Sequence, residues 1–273
     1  MAEPIPDLPS EKQRDQLVTL LRPLLHVTQP KLYGAENVAK AGSLLVGNHT
    51  LYAFLDLPFM MAELWSKHQV TVRGLGDNAH YNFPIWRDLL QVGGMVRGTR
   101  ENVRSLMDAG ENVLVFPGGA REVNKRKGEK YQLIWKERLG FAKLAIEYGY
   151  PIIPFAAVGA EDAYDIVLDE TNPVYARFTG LVKKVTGWPM QPLARGIGPT
   201  LIPRPERLYF WFGEPITTSG YAGDNGDSNA RQVRDETKAA VEEGIAFLLR
   251  EQGEDPQRDL SSRLLKRDSA KPV

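Results

Sequence analysis

Cysteine is absent from this chain. That excludes disulfides, thiolate metal sites and a Cys nucleophile together. Histidine is scarce, and a catalytic imidazole has to be His26, His49, His68 or His80. An excess of charge is also missing. Lys plus Arg and Asp plus Glu each number 34, unlike the basic surplus of a nucleic-acid binder, so no nucleic-acid partner is expected. There is no Gly-x-Ser-x-Gly, the nucleophile turn of a serine hydrolase. No stretch reaches the ~18 consecutive apolar residues of a membrane-spanning helix. The longest apolar runs, Leu57–Trp65 and Pro151–Ala160, are broken by Pro or charge. The opening MAEPIPDLPSEKQRDQ lacks the apolar core of a secretory signal. The expected location is therefore cytoplasmic, with membrane contact restricted to peripheral binding on an inner face.

What is present is ordinary for a folded α/β protein: 273 residues, 42% hydrophobic and 25% charged. Residues 1–10 read as a flexible lead, 11–252 as a single domain and 253–273 as a loose polar tail. Leu17, Leu20, Leu21, Leu24 and Leu25 recur at helical spacing, predicting an N-terminal helix that packs on the core or lies on lipid. Further helices are predicted at 55–67, 84–91, 99–109, 139–148 and 232–252, the one at 99–109 capped by Thr99 and stopped by Gly110. Short apolar runs predict strands at 43–46, 69–73, 93–96, 112–116, 151–158 and 208–212. The alternation predicts an α/β fold: one domain with a mostly parallel central sheet flanked by helices, including an N-terminal and a C-terminal helix.

Three loops carry the chemistry. In Gly47-Asn48-His49-Thr50 a strand delivers His49 to a loop before a helix, the place where α/β folds keep their reactive groups. Asp56 follows, and a carboxylate accepting from one imidazole nitrogen leaves the other as a base. The alternative is a capping His beside an unrelated Asp. In Phe116-Pro117-Gly118-Gly119-Ala120-Arg121-Glu122, consecutive glycines let backbone N–H groups approach an oxyanion or a phosphate. The alternative there is a tight turn needing Gly dihedrals. Arg121 has two candidate partners, a substrate phosphate or a carboxylate inside the fold. The third segment, Ile152 to Gly159, reads as a buried strand lying beside the second loop.

Asn-His with a downstream Asp, then Phe-Pro-x-Gly-x-Arg, then an Ile-Pro strand resembles the lysophospholipid acyltransferase superfamily over roughly residues 30–215. VFPGGAREVNKRKGEKYQLIWKERLGFAKLAIEYGYPIIPFAAVG is similar to the branch containing monoacylglycerol and diacylglycerol acyltransferases and the plant phytyl ester synthases. The resemblance implies acyl transfer from a thioester, acyl-CoA or acyl carrier protein, to a lipid alcohol at a membrane surface. Neither cofactor nor metal is implied. It assigns His49 as base and Asp56 as its partner, and it places Gly118, Gly119 and Arg121 in substrate binding. Thr99-Arg100-Glu101 matches a second family block and adds Arg100 to that set.

Two positions depart from the family pattern. Six residues rather than four separate His49 from Asp56, and on a helix such a pair lies about 10 Å apart along the axis. Gly118 stands where phosphate-acceptor relatives carry Glu, which shifts the expected acceptor toward a neutral alcohol such as a partial glyceride. A lysophosphatidate acyltransferase, a thioesterase and a non-enzymatic lipid carrier remain as alternatives. Lys125 and Arg126 could join Arg100 around an anion, and Leu57–Met61 could line a channel for an acyl chain. Residues 175–204 mix Phe178, Leu181, Trp188 and Met190 with Arg177, Lys183 and Lys184, a composition suited to a bilayer surface. Gly74-x-Gly76-x-x-Ala79 formally matches a dinucleotide fingerprint, but Asp77 would face the pyrophosphate.

Overall fold

The computed structural model describes residues 5–52, 55–77, 81, 84–186, 190–221, 224 and 226–265. Helix α1 (Glu11–Thr28) opens with a capping box, in which Ser10 and Gln13 satisfy one another's backbone N–H groups. Leu21 and Leu25 pack it on the core, whereas Leu20 and Leu24 stay exposed. Strands β1 (Lys31–Tyr33) and β2 (Leu44–Gly47) follow, then α2 (Leu57–Glu63) with a wider turn over 64–68. Next come β3 (Arg73–Gly76), α3 (Pro84–Val92), β4 (Val96–Arg97), α4 (Arg100–Asp108), β5 (Val113–Val115), α5 (Ala120–Val123), α6 (Gly140–Tyr148) and β6 (Ile152–Val158). The chain continues through β7 (Asp165–Leu168), α7 (Pro173–Thr186), β8 (Leu193–Arg195) and β9 (Tyr209–Phe212), and ends in α8 (Asp227–Glu254) and α9 (Leu260–Leu265).

Seven strands form one sheet in the order β1-β9-β6-β2-β5-β3-β4. All neighbouring pairs are parallel except β6 with β9. The α/β fold with a mostly parallel sheet is thus as expected. Alternation decides which residues meet which layer. Leu44, Val46 and Ile152 join the core under α6 and α8, and Leu45 and Ile153 join the core under α1 and α2. With both faces covered, such strands read as unbroken apolar runs.

Two expectations need correction. The strand predicted at 69–73 lies at Arg73–Gly76, because Gln69 ends the preceding helix in left-handed conformation and Val70 still bonds to Leu64. The Gly74-x-Gly76 pair is therefore strand and not a phosphate loop. Strand β6 lies beside β2, not beside β5, which makes β2 the central strand between them. The described parts of the lead and the tail, residues 5–10 and 253–265, make contacts with the domain. Ile5 packs against the core, and the Pro6 carbonyl accepts from buried Arg73. Past Gly253, Asp255 accepts from Arg207 and Tyr209, and buried Arg263 donates to the Pro205 carbonyl.

Candidate active site

Strand β2 ends at Gly47, whose missing side chain admits Phe155; a Cβ there would lie 2.4 Å from that ring. Asn48 then extends the sheet with its side chain. Its amide donates to the Ala157 carbonyl at 3.0 Å and accepts from the Ala157 N–H at 2.8 Å. This pair of bonds fixes the loop against the end of β6. His49 emerges half-buried at the C-terminal edge of the sheet, at the end of a strand flanked by β5 on one side and β6 on the other. Its ring stacks on Phe116 with centroids 4.1 Å apart and planes 12° from parallel.

The two loops are joined by a residue that the sequence reading did not select. Glu122 has no exposed surface, and its Oε2 accepts the backbone N–H of His49 at 2.9 Å. Its Oε1 accepts from Ile134 at 2.7 Å. Burial pushes the Glu122 carboxyl up, opposed by these two N–H donors. The available signal was an acid four residues after Gly118, on the same side of a helical turn. A Cβ at Gly118 would lie 2.1 Å from the Glu122 side chain, so the glycine is needed to seat the carboxylate. Gly119 adopts φ +51°, and its N–H is used within the turn by the Phe116 carbonyl.

Asp56 is 2% exposed and caps α2, accepting from the Leu57 N–H at 2.8 Å. Its other oxygen accepts from Thr50 Oγ1 at 2.8 Å. The long spacing is absorbed because residues 51, 52, 55 and 56 form turns and α2 starts only at Leu57. Asp56 therefore reaches Thr50, the neighbour of His49. Burial pushes its carboxyl up to about 6, with the Thr50 and Leu57 bonds opposing.

The expected cations separate. Arg121 takes the second of its two candidate partners: its Nη2 donates to both Glu129 oxygens, at 2.6 and 2.7 Å, and its Nη1 donates to the Asn124 carbonyl at 3.2 Å. Lys125 is buried with Glu161 in an ion pair, and Arg126 faces Glu170 at 3.6 Å. Arg100 is exposed at the start of α4, beyond the edge strand. Three strand spacings put it about 14 Å from the β2 end. The proposed channel residues Leu57, Phe59 and Met60 are buried in the core under α2. His26 is exposed, His68 is half-buried at a helix end, and His80 lies outside the described residues.

Residues 29–158 match the family model described as Acyltransferase. Over 82% of its length the chain is 35% identical to a chloroplastic phytyl ester synthase 1 of Arabidopsis thaliana, of which it covers 35%. It is 30% identical, over 45% of its length, to a "DGAT1/2-independent enzyme synthesizing storage lipids" of Mus musculus, covering 37% of that protein. The chain thus spans about a third of the length of such curated relatives. Among solved structures, the 1-acyl-sn-glycerophosphate (LPA) acyltransferase PlsC of Thermotoga maritima superposes with a TM-score of 0.49 at 15% identity, covering 86% of this chain and 83% of that one. The segment that matches the Acyltransferase family model runs from the approach to β1 through the whole of β6, and so contains the His49 loop and the Gly118–Glu122 loop.

Proposed function

We propose that this chain transfers a fatty acyl group from a thioester, acyl-CoA or acyl carrier protein, to the hydroxyl of a neutral lipid. A partial glyceride or a long-chain alcohol is the class of acceptor. His49 takes the hydroxyl proton as the oxygen attacks the thioester carbonyl. The tetrahedral oxyanion collapses, the C–S bond breaks, and the imidazolium returns its proton to the departing thiolate. Both substrates are held together, so no acyl-enzyme and no cofactor are required. Asp56 stabilises the imidazolium, acting with Thr50 through the 49–56 turn. Gly118 and Gly119 offer substrate their backbone only, since the space a side chain would take is filled by Glu122 and Arg138. The reaction is placed at the inner face of a membrane, on a peripherally bound protein.

The neutral acceptor rests on one observation: the cations around the second loop are engaged within the fold, Arg138 among them through the Pro117 carbonyl. Arg121 is occupied by Glu129 and Lys125 by Glu161. Exposed Arg100, farther along the sheet edge, suits the phosphates of the donor rather than of the acceptor. The similarity to phytyl ester synthases agrees with this choice. The test is a direct competition of monoacylglycerol, diacylglycerol, a long-chain alcohol and lysophosphatidate for one labelled acyl-CoA. Preference for a neutral acceptor is expected. Preference for lysophosphatidate overturns the acceptor class, and release of free fatty acid alone overturns acyl transfer to an alcohol.

A further inference from the structure

Helix α7 is amphipathic with the usual arrangement reversed. It packs on the domain through half-buried Tyr175, Ala176 and Val182 and buried Thr179. Its bulky apolar residues point outward: Val174, Phe178, Leu181 and Val185 are 77, 54, 62 and 78% exposed. Their spacing i, i+4, i+7, i+11 makes one continuous stripe along the helix. Exposed apolar stripes of this kind on a folded domain mark an interaction surface. Two of the four, Val174 and Val185, lie outside the set singled out from composition. Met190 is half-buried, and Trp188 lies outside the described residues.

The surroundings of the stripe identify its partner. Residues 173–186 include Arg177, Lys183 and Lys184, all exposed, and no acid. The whole chain has no net charge, so this cationic character is local. Just before the helix, Asp169 is engaged by the Lys127 N–H and Thr171, and Glu170 faces Arg126. After β8, the loop that folds back through the Ile197–Ile202 backbone bond exposes Ile197, Leu201 and Ile202 by 51, 65 and 61%. A second copy of α7 on this stripe would set like charges against each other, which disfavours self-association.

The helix is also mechanically tied to the His49 loop. Tyr52, three residues after His49, holds φ 63° and donates to the Pro192 carbonyl at 2.8 Å. Its ring meets Tyr164 edge-on at 5.1 Å. Leu51, Ala163, Tyr164 and Ala194 form a small core between that loop and the β7–β8 ribbon. Tyr175 of α7 donates to Gln191 at 2.7 Å, one residue before the carbonyl used by Tyr52.

We propose that the outward face of α7 docks on an anionic lipid bilayer and so presents the His49 loop to membrane-borne acceptor. Apolar side chains enter the headgroup boundary and the three cations meet lipid phosphate. This rests on the reading of a lipid acceptor, but binding is measured without turnover. The experiment is flotation of the full chain with phosphatidylcholine vesicles, with and without phosphatidylglycerol. It compares wild type, Phe178→Ser/Leu181→Ser and Lys183→Glu/Lys184→Glu. Wild type is expected to float with anionic vesicles at low salt and to release as salt rises. Each double variant should lose about tenfold in partitioning. Turnover of a short-chain, monomeric acceptor should be unchanged in both, while turnover of a vesicle-borne acceptor falls in parallel with binding. The proposal is overturned if wild type fails to float, if the variants float equally well, or if sedimentation shows α7 holding two copies together. Vesicle binding through α7 without acyl transfer to any acceptor would instead uphold docking and remove the functional reading.

Discussion

Glu122 lies over Gly118 and holds the backbone N–H of His49, so the carboxylate that braces the base comes from the second loop. A buried acceptor serving two N–H donors cannot be exchanged for an amide without turning an NH2 toward one of them. Glu122→Gln is expected to destabilise the fold by roughly 1–3 kcal/mol and to lower kcat about tenfold with little change in KM. Gly118→Ala should be destabilising as well, since the new methyl group collides with the same side chain. Thermal melts and steady-state kinetics read both effects. A fully active, equally stable Glu122→Gln variant would show that this bond neither positions His49 nor supports the loop.

The base itself is tested by His49→Ala. Loss of general-base catalysis should lower turnover by roughly two to four orders of magnitude. The far-ultraviolet spectrum and the melting transition should remain those of a folded protein, because the ring is only half-buried and stacks on Phe116 at the sheet edge rather than inside the core. Turnover above about a tenth of wild type would assign the proton transfer elsewhere.

Much of this site is legible in the residue order, for identifiable reasons. His49 follows a run buried on both faces, and such runs mark central strands whose C-terminal ends carry chemistry. Thr99 is recognisable as a helix cap from local chemistry alone, and the structure shows it accepting from Asn102. Partnerships across distant segments are not visible in this way. Glu122 reads as a loop acid until its approach to His49, 73 residues away, is seen. Arg121 and Lys125 read as anion binders because a sequence shows their charge but not Glu129 and Glu161 beside them. The β7–β8 ribbon is too short, and α7 too apolar on its outward face, for periodicity to say which side packs inward.

Asp56 carries a pH dependence with a definite sign. Its carboxyl is raised to about 6 in the folded protein by burial. Between the unfolded value, about 4, and 6 the folded state binds the extra proton. Stability is therefore favoured at low pH and falls as pH rises through that window. Activity should move oppositely, since only the ionised carboxylate stabilises an imidazolium, giving an acid limb in the rate profile near 6. Asp56→Asn removes the charge penalty, so at pH 8 it should melt at or above the wild-type temperature. Its turnover should nevertheless be about a hundredfold lower, as a neutral amide no longer stabilises the imidazolium. A fully active Asn variant would separate Asp56 from the chemistry and leave it as a helix cap.

Arg121 separates a binding role from a supporting one. Its ion pair with Glu129 closes the chain between the Gly118-Gly119 turn and residue 130, and Glu129 also accepts from the Arg126 N–H at 2.7 Å. Burial raises the Glu129 carboxyl, but the Arg121 bonds and the Arg126 N–H outweigh it and hold the group below the usual carboxylate range. The stability of this tie is thus present above about pH 4 and lost as pH falls through the lowered value. If Arg121 supports the loop, Arg121→Ala and Glu129→Gln should cause similar losses of stability and activity. The double variant should then be little worse than either, with a coupling of roughly 0.5–3 kcal/mol in a thermal or denaturant cycle. If Arg121 instead binds a substrate anion, releasing it by Glu129→Gln should leave or improve KM for acyl-CoA, while Arg121→Ala raises KM. The first pattern is expected, because Nη2 is committed to Glu129 and Nη1 to the Asn124 carbonyl, which fixes the guanidinium within the loop.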